Sequence, residues 1–118
     1  MIEPQLWAAL KKKAQEHFVI PNFAAEIFSQ PWDFIEKAYS PNLETKPLDA
    51  SYLAFLDEQI ELGARGEEWS NVLRHRKTML SPYVGRSLTT LSIPTSGGTV
   101  VIKFCSDDDS LVMFEALE

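Results

Sequence analysis

The sequence predicts an α+β chain in which about five N-terminal helices pack on a C-terminal three-stranded antiparallel β-meander. Three observations carry this. Apolar residues recur at three- and four-residue spacing as far as Leu80. After Gly85 the pattern shifts to short runs rich in Thr, Val and Ile. The joins between those runs have turn composition and hairpin length.

The first helix is expected over residues 4–16, where Leu6, Leu10 and Ala14 form a stripe with Trp7 and Ala9 beside it. Ile20-Pro21-Asn22 breaks it, and Phe23, Ala24, Ile27 and Phe28 fit one face of a short second helix. Pro31 suits the first turn of a third, with Trp32, Phe34, Ile35 and Tyr39 as its apolar positions. Residues 40–48 hold Pro41 and Pro47 among polar residues and read as a loop. Asp49 is an N-cap signal, and Leu48 and Leu53 occupy the positions of a hydrophobic staple. Leu53, Leu56 and Ile60 carry a fourth helix to Gly63, the expected C′ residue. A fifth runs from Gly66 to about Leu80, with Trp69, Val72, Leu73 and Met79 on its apolar side, and Pro82 closes it.

Ser87–Ile93, Thr99–Cys105 and Ser110–Ala116 are the expected strands. Pro94-Thr95-Ser96-Gly97-Gly98 and Ser106-Asp107-Asp108-Asp109 join them. So small a sheet needs cover on a face, which the helices must supply. The 118 residues suit one domain, mainly helical over 1–80 and a β-meander over 86–117. That length buries roughly two-thirds of the unfolded surface.

Charge is sorted in blocks. Residues 49–68 carry six acids and one base; 69–103 carry five bases and no acid; 104–118 carry five acids and no base. Such blocks set up fields that steer charged partners. The acidic groups that stand out are Asp57, Glu58 and Glu61, and the triplet Asp107, Asp108 and Asp109. Asp57 and Glu61 lie four apart on one helix face, where like charges cost helix stability, so propensity does not account for them. Three adjacent carboxylates call for solvent, a cation or a basic partner, and a solvated turn is the commoner explanation. The basic counterpart is Arg74, Arg76, Lys77 and Arg86, the alternative anion-binding set. For the helical members, acids in the first turn and bases near the last also match the helix dipole.

Enzyme chemistry finds no motif. His17 and His75 are isolated, and Cys105, the single cysteine, falls in an expected strand, so neither a Cys–His pair nor a zinc set is visible. Ser96-Gly97-Gly98 lacks the spacing and lysine of a phosphate loop. The Asp triplet lacks the alternation, glycine and distal Glu of an EF-hand. No cofactor or metal is expected.

A net charge of −6 disfavours bulk binding to nucleic acid or to an anionic membrane. One cysteine and no visible leader or spanning segment point to the cytoplasm. In size, charge and expected compartment the chain is similar to small acidic immunity proteins and inhibitors that mask basic nuclease toxins. The likeness covers no motif; it implies a non-enzymatic binding module with a basic protein partner, met by Asp57, Glu58, Glu61 and the Asp107–Asp109 turn. Tyr52 or Phe55 would supply the apolar anchor. The alternatives are a nucleic-acid or anion-binding regulator using residues 74–86, with Lys103 added from the sheet, and a small-molecule site or enzyme in a helix–sheet cleft.

Overall fold

The computed structural model describes residues 2–108 and 110–117. Five helices form where the apolar spacing predicts them: α1 (Pro4–His17), α2 (Asn22–Phe28), α3 (Trp32–Tyr39), α4 (Ala50–Leu62) and α5 (Glu67–Leu80). Asp49 caps α4 by accepting the Ser51 amide at 2.9 Å on Oδ1, and Gly63 ends it in the left-handed region at φ 57°. A 3-10 turn at Ser81–Tyr83 follows α5.

The sheet corrects the expectation in one respect. It has four strands, not three: β1 (Asn42–Pro47), β2 (Ser87–Thr95), β3 (Gly98–Cys105) and β4 (Leu111–Leu117), antiparallel in the order β1-β2-β3-β4. The extra strand lies in the segment 40–48 read as a loop. Its sequence, Asn42-Leu43-Glu44-Thr45-Lys46-Pro47, holds one large apolar residue, and almost all of it is exposed. An edge strand needs no apolar alternation, and its proline and charges discourage pairing with foreign chains.

β1 and β2 are neighbours, yet α4 and α5 lie between them in sequence. The excursion is closed at its neck by two backbone bonds: the Leu48 amide donates to Arg86 O, and the Gly85 amide donates to Leu48 O, both at 2.9 Å. The hairpin between β2 and β3 is tied by Thr95, whose Oγ1 accepts the amides of Gly97 and Gly98 at 3.1 Å. A Cβ on Gly97 would meet Phe23 Cβ at 2.8 Å, so a glycine there lets α2 sit against the turn.

Period-two alternation divides the sheet into two apolar faces. Leu91, Ile93, Val100, Ile102, Phe104 and Phe114 point one way and pack with Trp7, Leu10, Ala24, Ile27, Phe28, Trp32 and Ile35 of α1–α3. Leu88, Cys105, Val112 and Met113 join Leu56 of α4 and Leu73 and Leu80 of α5 in a second cluster. The register agrees, since Leu91 opposes Ile102 and Ile102 opposes Phe114 in the first cluster, while Leu88 opposes Cys105 in the second. Helices therefore cover both faces. A bulge between Lys103 and Phe104 shifts the β3–β4 register, and Val112 and Met113 both lie in the second cluster.

Aromatic rings bind the first layer together. Trp7 stands 5.4 Å from Trp32 and 5.8 Å from Phe28, and Phe28 stands 5.6 Å from Phe114 on β4. The Trp7 indole donates to Gln30 O at 3.0 Å, whereas the buried Trp32 indole nitrogen has no partner among the described residues. Trp7→Phe and Trp32→Phe remove equal bulk, but only the first removes a hydrogen bond. Urea unfolding is expected to show Trp7→Phe the more destabilising by about 1 kcal/mol. Equal losses would mean that water satisfies the Trp32 indole.

Candidate functional site

The charge blocks of the sequence meet across the fold and largely neutralise one another. α4 and α5 pack side by side, and Asp57 Oδ1 accepts a 2.6 Å bond from Lys77 Nζ. This is what offsets the like-charge spacing of Asp57 and Glu61. Arg74 reaches Glu67 at 3.6 Å on its own helix and donates to Asn71 at 2.7 Å. Arg76 holds Glu115 of β4 at 2.6 Å, with both side chains four-fifths or more covered (14% and 20% exposed). Arg86, at the start of β2, reaches across to the β3–β4 turn, 3.0 Å from Asp108 and 3.8 Å from Asp107. Asp109 lies outside the described residues.

Each member of the alternative anion-binding set, Arg74, Arg76, Lys77 and Arg86, thus faces a carboxylate. Of the acidic set, Asp57, Asp107 and Asp108 face bases. Glu58 and Glu61 enter no ion pair among the described residues; they project from the outer face of α4, where Phe55 and Leu62 stand 51% and 69% exposed. Residues 55, 58 and 62 follow helical spacing, and Glu61 flanks them, so the four share one ridge.

Beside the N-terminal half of α4, a cleft of about 790 Å³ lies between the helix and the sheet. Lys46, Pro47, Leu48 and Asp49 form one wall, Ser51, Tyr52 and Phe55 the second, and Leu80, Leu88 and Lys103 the floor. The rings of Tyr52 and Phe55 lie 6.4 Å apart, tilted by 31°. Lys103 rises from β3 opposite Thr90, to whose Oγ1 it donates at 3.1 Å. Burial pushes its ammonium below the ordinary lysine range, and the charge of Lys46 pushes the same way. Lys46 itself pairs with Glu44 at 3.0 Å.

Composition gave no warning of this cleft, since its walls come from three separated segments. One local signal was present. Lys103 is a lone charge inside the apolar run Val100-Val101-Ile102-Lys103-Phe104-Cys105.

Cys105 is fully buried in the second apolar cluster. His17 and His75, remote in sequence, line one shallow hollow with Met79 and Leu111. Among the described residues, no group of three or more His, Cys, Asp or Glu is placed to hold a metal ion. Nor is any described helix long and apolar enough to cross a membrane. Trp69, on the apolar side of α5, is half-buried against the second cluster, with the Arg65 guanidinium 4.1 Å from its ring and that of Arg76 5.6 Å away.

The Arg86 hydrogen bond, helped by bonds from Ser110, holds the Asp108 carboxyl down from 3.8 to about 2. A carboxyl depressed in the folded state adds stability that is fully present above its unfolded pKa. That contribution is lost as pH falls from about 4 toward 2. A carbon-13 titration of Asp108 is expected to show the low midpoint, and Arg86→Gln should move it up toward the ordinary value. An unmoved midpoint would assign the depression to Ser110 alone.

Comparison with protein-family models, curated proteins and solved structures finds no match to this chain.

Proposed function

We propose that this chain is a non-enzymatic protein-binding module that docks a basic partner on the outer ridge of α4. The observation that carries the reading is the contrast along that helix. Asp57 is neutralised by Lys77, while Glu58 and Glu61 stand without a cation among the described residues, beside the exposed Phe55 and Leu62.

Carboxylates left open around an apolar centre suit a partner that offers lysines or arginines around an apolar hollow. The charges speed encounter and set orientation, and the apolar residues slow dissociation once docked. Net charge of −6 adds a long-range attraction of the same sign. An inhibitor that masks a basic protein such as a nuclease toxin is the closest functional type. On this reading the Asp107–Asp108 turn plays a smaller role than the α4 ridge, because Arg86 already occupies it.

Capture at low ionic strength from a lysate of the protein's own source would supply the partner, and association kinetics would test the surface. The double variant Glu58→Lys/Glu61→Lys is expected to lower the association rate about tenfold at low salt, with a smaller effect at high salt. Both positions are exposed and outside the ion pairs of the described residues, so folding should be spared. An association rate indifferent to the reversal would remove the α4 ridge from the interface.

A further inference from the structure

The five bases of the acid-free stretch 69–103 do not share one fate. Four of them, Arg74, Arg76, Lys77 and Arg86, each meet a carboxylate within 4 Å. Lys103 meets none among the described residues, although it is half-buried and the nearby Lys46 opposes its charge. It donates a hydrogen bond to the Thr90 hydroxyl. An ammonium has three N–H donors, so donor capacity is left over in a place where water is partly excluded. Removing a cation from water without an anion is costly, and the cost falls when an anion arrives.

The surroundings of Lys103 have the form of a ligand site. The cleft volume of about 790 Å³ falls within the roughly 300–1,000 Å³ of small-molecule pockets. Most of its lining is apolar or aromatic, including Leu48, Tyr52, Leu80 and Leu88. The acid at the mouth, Asp49, is turned to its own helix, where it accepts the Ser51 amide. Glu44, outside the lining, pairs with Lys46. The two carboxylates whose charge reaches Lys103, Glu115 and Glu44, are held by Arg76 and Lys46, and neither forms an ion pair with it.

We propose that the cleft between α4 and the sheet binds a small organic anion with an apolar body, its negatively charged head on Lys103 and its body against Tyr52, Leu80 and Leu88. The site adjoins the acidic ridge through Phe55, while Glu58 and Glu61 lie outside its lining. Its specificity comes from one half-buried charge, and the apolar walls accept a range of shapes.

Decanoate is a suitable probe, with decanol as its uncharged counterpart. Titration calorimetry of the full chain is expected to show saturable decanoate binding and weaker decanol binding. Methyl shifts should be confined to Leu48, Leu80 and Leu88. Lys103→Met keeps most of the length of the side chain and removes its charge. It should weaken decanoate about tenfold and leave decanol unchanged, while Lys103→Arg should retain decanoate. Should Lys103→Met unfold, the comparison of decanoate with decanol on the native chain, mapped by the same methyl groups, decides the matter. Absence of saturable decanoate binding, equal affinity for the two probes, or shifts mapping elsewhere would each overturn the proposal.

Discussion

The sheet has two apolar faces, and the rest of the structure follows from the need to cover both. Alternation along β3 sends Val100, Ile102 and Phe104 to one side and Cys105 to the other. Neither side can be left to water at the cost of about 25 cal/mol for each Å² of apolar surface. The chain meets the demand in order. It lays down α1–α3 for the first face, sets β1 as the edge, crosses to the second face with α4 and α5, and then returns beside β1. The neck bonds of Leu48 with Gly85 and Arg86 hold departure and return together. The α4–α5 layer covers only a portion of its face. Lys46, Thr90 and Lys103 lie where the cover ends, and the cleft is the space that incomplete cover leaves.

Charge is arranged by the same geometry. The blocks that look like separate patches along the chain are brought together in space: α4 beside α5, α5 beside β4, and the start of β2 beside the β3–β4 turn. Exposed pairs of this kind contribute little each, about 0–1 kcal/mol. Arg76 with Glu115 is more sheltered, and it ties the second helical layer to the last strand. The pairs also define what is left over. Glu58 and Glu61 on α4, and Lys103 on β3, stand out because their neighbours are neutralised.

Much of the fold was legible because local signals and tertiary packing agree. Asp49 caps and Gly63 terminates as their side chains, or lack of one, dictate, and the stripe Leu53-Leu56-Ile60 faces the second cluster. β1 was illegible for a physical reason. An edge strand exposed along nearly its whole length is held by backbone bonds to β2, which no apolar period records. The proposed binding surface was half legible. Residue type marked Asp57, Glu58 and Glu61 together, yet only the approach of Lys77 separates the first from the other two. Lys103 carried a signal of its own in being charged within an apolar strand. The emptiness around it depends on residues from Lys46 to Leu88 that no spacing rule connects.

The placement of the tryptophans and the cysteine equips the two helical layers with different natural reporters. Trp7 and Trp32 are buried with α1–α3, whereas the Cys105 thiol is sealed beneath α4 and α5. Thiol-reagent kinetics therefore report opening over the second face, through lifting of the hairpin or loosening of the adjoining turn. In a Trp69→Phe variant, which removes the indole of α5, the fluorescence of the two buried indoles reports integrity of the first. A molecule whose layers detach in succession, the second face first, would react at sulfur before its emission changed, and one that opens as a unit would show both together.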